Sequence, residues 1–193
     1  MRGWTGIWNL VGSCLQTSSC YSSQVTVWRL VTHHTNGENG EKYPQWAEEA
    51  YQWCLEEKRI ALGWGETGDV RGFESPEAVV EFGRSGPYAS LHNVGQCGRQ
   101  LWSLCHEMQV GDLVILSTGE YRAVAYVKGE YEYSPDRGQL GHDYYHQRAV
   151  HITPLPAKPV WDLADGLAEG QSPYLPLVRC ARSVKRKELD ALL

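Results

Sequence analysis

The 193-residue chain has only two Phe and two Met, against eight Trp and eleven Tyr. A core that needed bulk alone would use more Phe. Trp and Tyr carry a polar edge and suit surfaces that are both flat and wettable, so the skew points to recognition as well as packing. No run of 18 apolar residues occurs, which excludes a membrane-spanning helix by length. The six cysteines (Cys14, Cys20, Cys54, Cys97, Cys105, Cys180) include no CxxC pair, and their spacings fit neither a zinc site nor a disulfide scaffold. Cys54 and Cys105 fall on apolar helical faces and are expected to be buried free thiols in a cytoplasmic chain. Gly-x-Ser-x-Gly and the phosphate loop GxxxxGK[ST] are both absent, which argues against a serine hydrolase and a nucleotide hydrolase.

No catalytic set assembles from the residues present. His142 and His146 have metal spacing only on a helix, and the surrounding β-rich run makes them a structural or solvated pair. His33 and His34 lie in a polar loop. Gly63, Gly65 and Gly68 cluster after a strand but lack the GxGxxG spacing. The expectation is a non-enzymatic chain with no cofactor and no metal.

The net charge of -5 excludes a surface that coats nucleic acid uniformly. Residues 25–178 hold 12 basic and 21 acidic side chains, whereas 179–193 hold five basic and two acidic. Inside the acidic stretch, residues 82–106 contain Arg84 and Arg99 and no carboxylate. A local polyanion site is expected there, built from Arg84, Ser85, His92, Asn93 and Arg99, with an ordinary loop as the alternative.

Residues 24–31 alternate and are β-branched, so they predict a strand. Residues 45–58 predict a helix with Trp46, Ala50, Trp53 and Cys54 on one face. A short strand follows from Arg59 and ends in glycines. Ser75-Pro76-Glu77 is a helix start, with a capping hydroxyl and Pro at the first position, and that helix is expected to end near Phe82. Residues 83–96 predict a loop, and 97–108 a helix with Leu101, Leu104, Cys105 and Met108 in one stripe. Strands are expected at 113–118, at 121–128 after a turn at Gly119-Glu120, and at 144–153, with Glu130-Tyr-Glu-Tyr following Gly129. Residues 1–24 predict a loosely docked leader. Residues 156–193 predict a proline-rich wrapping coil and a basic C-terminal helix. Strands with a few interspersed helices, joined by short turns, imply an α+β fold around a small curled β-barrel with peripheral helices.

The aromatic residues at strand ends carry the functional signal. Trp64 lies between Gly63 and Gly65, which would let a ligand approach the backbone and leave the indole face open. It is either a pocket wall or core filler. Tyr131 and Tyr133 sit two apart on a strand and share a face. Trp28 lies mid-strand.

Five segments in order resemble a known superfamily: Trp28-Arg29; Ile60-Ala-Leu-Gly-Trp-Gly-Glu-Thr-Gly-Asp-Val; Met108-Gln-Val-Gly-Asp-Leu-Val-Ile; Ala123-Val-Ala-Tyr-Val-Lys-Gly-Glu-Tyr-Glu-Tyr; and Tyr145-His-Gln-Arg-Ala-Val. Over residues 25–155 the chain resembles the PUA-like superfamily, and within it the EVE and YTH-like modules that precede McrB-type, modification-dependent restriction proteins. The resemblance implies a barrel that holds a modified base, flipped from double-stranded DNA, in an aromatic cage. Trp64, Tyr131, Tyr133 and Trp28 would form the cage, with Gly63, Gly65 and Arg148 supporting it. The YTH-like side of the resemblance favours N6-methyladenine over modified cytosine. Nuclease or AAA motor activity would come from a separate domain or partner. An RNA-binding PUA-like module acting on tRNA or rRNA is the alternative, and a small RNA-modifying enzyme on the same barrel is a third reading.

Overall fold

The computed structural model describes residues 24–32, 44–86, 88–90, 92–137 and 144–193, with side chains in the first helix from Ala47 onward. The expected leader, the His33–His34 loop, His142 and the Trp46 side chain lie outside the described residues.

The β-branched start forms two strands, β1 (Gln24–Val25) and β2 (Val27–Val31). Helix α1 (Pro44–Glu57) leads into β3 (Arg59–Leu62), then two 3₁₀ turns at Gly65–Thr67 and Val70–Gly72. Helices α2 (Pro76–Ser85) and α3 (Val94–Trp102) follow, and α3 runs into a π turn at Ser103–Glu107. Strands β4 (Leu113–Ser117), β5 (Tyr121–Tyr133) and β6 (His146–Thr153) come next. The chain then forms α4 (Ala157–Leu163), β7 (Leu177–Arg179), β8 (Val184–Lys185) and α5 (Arg186–Asp190).

The fold is α+β. One six-stranded sheet has the order β3-β6-β5-β4-β2-β7, and β1 pairs separately with β8. All neighbours in the large sheet are antiparallel except β2 and β4. The sheet is not closed into a barrel: among the described residues, β3 and β7 each have one neighbour. It curls instead. Leu30 and Val31 of β2 line the same cleft as Ala61 and Leu62 of β3, and Ala50 and Cys54 of α1 stand beside them.

Both sheet faces are covered, which explains why every residue of β2 and β4 is buried. Trp28 and Leu30 enter a core shared with α1, α3 and β3. Val27, Leu113 and Ile115 enter a second core under α4 and α5. On α1 the buried stripe is Ala47, Ala50, Tyr51 and Cys54, with Trp53 only half-buried. The stripe expected at Leu101, Leu104, Cys105 and Met108 is buried throughout. Cys54, Cys97, Cys105 and Cys180 are buried free thiols.

Ser75 caps α2, its Oγ accepting from the Ala78 amide at 3.1 Å. The helix runs on to Ser85, and α3 begins at Val94, so the loop expected over 83–96 is shorter than expected. The glycines there serve close packing. A Cβ on Gly83 would lie 2.8 Å from Val94, and one on Gly98 would lie 2.8 Å from Val80, so α2 and α3 approach at both points.

Gly129 lies in a bulge inside one continuous strand, Tyr121–Tyr133. Val127 pairs with Val150 and Tyr131 with Arg148, so Lys128, Gly129 and Glu130 together oppose Ala149. Because the excess is two residues, Val127, Tyr131 and Tyr133 stay on one face. The proline-rich stretch contains α4, with Pro159 in its first turn, where a missing N–H costs nothing. The basic tail is not a free helix. It supplies β7, β8 and the short α5, and Val184 and Leu189 are fully buried in the second core.

Candidate functional site

Cross-strand pairing builds the site in two rows. Leu62 pairs with His146, which pairs with Tyr133; Ile60 pairs with Arg148, which pairs with Tyr131. Residues directly opposite one another share a face, so all six side chains point the same way. Trp64 follows Leu62 at the open edge.

Trp64 has φ 63° and ψ 39°, a left-handed backbone that a bulky side chain rarely adopts. Neither flanking glycine, Gly63 or Gly65, has a positive φ. The strain sits on the tryptophan itself. Its carbonyl oxygen accepts from the Thr67 amide at 3.0 Å and lies 3.1 Å from His146 Nε2. The next carbonyl, that of Gly65, accepts from the Tyr133 hydroxyl at 2.8 Å. The indole is half-buried between two clefts. One, of about 20 Å³, lies against Leu30, Ala50, Leu62 and Tyr144. The other, of about 10 Å³, lies against Val79, Tyr88, Val94 and Leu101. Each has room for about one water-sized molecule.

Tyr131 is 4% exposed. Its hydroxyl accepts from the Val70 amide at 3.3 Å and lies 2.7 Å from His146 Nδ1. Burial pushes its phenol well above the usual range, so it keeps its proton. Tyr131 is therefore a buried support and not a cage wall. Trp28 is also corrected. It is 2% exposed, and its indole N–H donates to Asp112 Oδ2 at 2.9 Å, so neither ring face is open. Tyr133 is half-buried, its ring edge-on to Tyr145 at 6.1 Å. Arg148 is 1% exposed and donates to the carbonyls of Leu104, Cys105 and Gly129.

The polyanion candidates gather elsewhere. Arg84, His92, Asn93 and Arg99 line a groove of about 630 Å³ between α2 and α3. Ser85 does not join them; its hydroxyl donates to the Glu81 carbonyl in its own helix at 2.8 Å. Glu77 and Glu81 line the same groove. The window that lacks carboxylates in sequence thus has two beside it in space, supplied by the preceding turns of α2. Helices α2 and α3 border both this groove and the second Trp64 cleft.

Sequence reasoning missed His146, Tyr144 and Tyr88. The sequence leaves His146 as one of a structural or solvated pair, and in the structure it is fully buried at the centre of the hydrogen bonds. Its two-residue spacing from Arg148 was the available signal, since both then face one way. Among the described residues no three His, Cys, Asp or Glu side chains gather where they could hold a metal ion. No helix among them is long and apolar enough to cross a membrane.

A family model described as a domain of unknown function, DUF8426, matches residues 41–152. The chain belongs to the DUF8426 family. No curated protein and no solved structure matches it. The DUF8426 segment runs from α1 through nearly all of β6. It contains Trp64, Tyr131, Tyr133, His146 and Arg148, together with the residues of the α2–α3 groove. It leaves out β2, with Trp28, and β7. Most of the candidate site therefore falls within the matched segment, whereas Leu30 and Pro176, which line one of the Trp64 clefts, and two strands of the sheet lie outside it.

Proposed function

We propose that the chain is a non-catalytic reader of a modified base in double-stranded DNA, acting in the cytoplasm and lending specificity to a separate nuclease or motor of a restriction or defence system. The observation that carries this reading is the left-handed Trp64. Backbone strain of this kind persists only where the surroundings over-determine it, and it concentrates at functional sites. Here the strain holds a half-exposed indole at the edge of a curled sheet, next to two helices whose outer groove gathers Arg84, His92, Asn93 and Arg99.

In this reading the groove takes the sugar–phosphate backbone and Trp64 takes the extruded base. The groove falls within the size of small-ligand sites, about 300–1,000 Å³. The two clefts do not, so a base enters only as Trp64 and Tyr144 or Tyr88 part. Extrusion costs a few kcal/mol, and stacking returns about 1–3 kcal/mol per base. A buried methyl adds about 0.8 kcal/mol. Larger discrimination requires a polar group on the base edge that a wrong base leaves unpaired. The likeness to EVE and YTH-like modules supports N6-methyladenine and reads the curled sheet as a PUA-like barrel left open between β3 and β7.

The test is a binding panel of duplexes carrying N6-methyladenine, 5-methylcytosine, 4-methylcytosine or 5-hydroxymethylcytosine, with methylated and plain RNA as competitors. The expected result is preference for one modified duplex, lost in Trp64→Ala without loss of fold. Preference for RNA, or selectivity that survives Trp64→Ala, overturns the reading.

A further inference from the structure

His146 is fully buried, and its two ring nitrogens reach opposite ways. Nε2 lies 3.1 Å from the Trp64 carbonyl oxygen. A carbonyl can only accept, so Nε2 carries the proton. Nδ1 lies 2.7 Å from the Tyr131 hydroxyl. In a neutral ring Nδ1 is then the acceptor, so the Tyr131 hydroxyl, whose oxygen accepts from the Val70 amide, donates its own proton to it. The relay therefore runs in one direction, from Val70 N–H through Tyr131 and His146 to the Trp64 oxygen, and it selects one tautomer.

The end of the relay matters most. The Trp64 oxygen receives two donors, His146 Nε2 and the Thr67 amide. Together they fix the plane of the peptide between Trp64 and Gly65, and hence the ψ of Trp64. The Thr67 bond is local to the 3₁₀ turn and travels with it. His146 stands on β6, in the interior of the sheet, and ties the turn to a rigid frame.

We propose that His146 is the positioning residue of Trp64: as its Nε2–H tautomer, set by the Tyr131 hydroxyl, it holds the left-handed backbone that presents the indole between its two clefts. The inference rests on the reading of Trp64 as the stacking residue only for its effect on base selection. The geometric part stands by itself.

The experiment uses the full chain labelled with 5-fluorotryptophan. Trp64→Phe assigns the Trp64 ¹⁹F resonance and Trp28→Phe that of buried Trp28. His146→Ala should shift or broaden the Trp64 signal and leave the Trp28 signal in place. His146→Gln, whose amide can donate to the same carbonyl, should restore it. Imidazole ¹⁵N shifts should report the Nε2–H tautomer for His146 in the wild type and a mixture in Tyr131→Phe. Preference for a modified duplex should fall about tenfold in His146→Ala, the scale on which relief of a left-handed residue favours other conformers, and recover in His146→Gln. An unmoved Trp64 signal in His146→Ala, or the Nδ1–H tautomer in the wild type, overturns the proposal. If His146→Ala does not fold, Tyr131→Phe decides: a sharp, unshifted Trp64 signal overturns it. A Trp64 signal that moves and is rescued, in a wild type that prefers no modified duplex, upholds the positioning role and defeats the reader reading.

Discussion

The Nε of Arg148 lies 2.6 Å from the carbonyl oxygen of Leu104, in the π turn that ends α3. The same guanidinium reaches the Cys105 carbonyl at 3.0 Å and the Gly129 carbonyl at 3.1 Å. The last carbonyls of a helix have no partner within it, and a bulge interrupts the strand ladder. One buried arginine thus ties two irregular features together. Burial pulls its guanidinium pKa down, and the mostly exposed Glu130 carboxylate, 3.7 Å away, opposes that shift.

Replacing this fork should be severe. Arg148→Met leaves three carbonyls without their donor and is expected to cost upward of about 1–3 kcal/mol, the range for leaving one buried acceptor unsatisfied. Arg148→Lys should recover little, since an ammonium on a flexible stem cannot serve three divergent oxygens. Urea unfolding midpoints of the two variants check this.

Trp64→Gly and Trp64→Ala separate the backbone from the ring. Both remove the indole and should abolish base selectivity. Glycine accepts φ 63° without strain, whereas alanine keeps the left-handed penalty. Trp64→Gly should therefore be more stable than Trp64→Ala by about 0.5–1 kcal/mol, the reverse of the usual order. The usual order in urea titrations would show that the left-handed turn does not hold in solution.

Asp112 gives a pH dependence of defined sign. Burial raises its carboxyl above the ordinary 3.8, opposed by hydrogen bonds from the Gln109 amide and the Trp28 indole. The native state therefore binds this proton more tightly than the unfolded chain does. The contribution is fully present below the unfolded pKa and is lost as pH rises through the folded value. Asp112→Asn has no proton to release, so its stability relative to wild type should improve as pH rises from about 3.9 upward. Unfolding free energies at several acidic pH values measure the trend, and a constant difference would count against it.

The groove makes a charge prediction. Arg84→Ala and Arg99→Ala should each weaken duplex binding across sequences and reduce the slope of log affinity against log salt by about 1. Glu81→Gln should strengthen binding by removing a repelling carboxylate from the same wall. Ser85→Ala should change nothing, because its hydroxyl is occupied by its own helix. Salt titrations of the four variants distinguish these outcomes.

Local chemistry was legible where local chemistry decides. The Ser75-Pro76 start of α2, the buried stripe from Leu101 to Met108 and the shared face of Tyr131 and Tyr133 all follow from residue type and period. What was not legible depends on partners distant in sequence. The bulge at Gly129 shows only once Ala149 is seen opposite it. Trp28 and Trp64 look alike as tryptophans on or after strands, and only the second layer over β2 buries the first. Glu77 and Glu81 lie outside the carboxylate-free window in sequence, and the α2–α3 crossing at Gly83 and Gly98 brings them to it.

The parallel placement of β2 beside β4 bears on how the chain reaches this structure. β4, β5 and β6 follow one another as antiparallel neighbours and can zip locally. β2 has no such neighbour. Its Trp28 meets Asp112 across 84 residues, and its Arg29 meets Pro173 across 144. Closing loops of that length precedes any gain from the contacts, so pairings this remote form slowly. β2, and β7 which pairs with it, are consequently expected to dock after β4, β5 and β6 have paired, and until then the edge of β4 and the second core stand open to other chains.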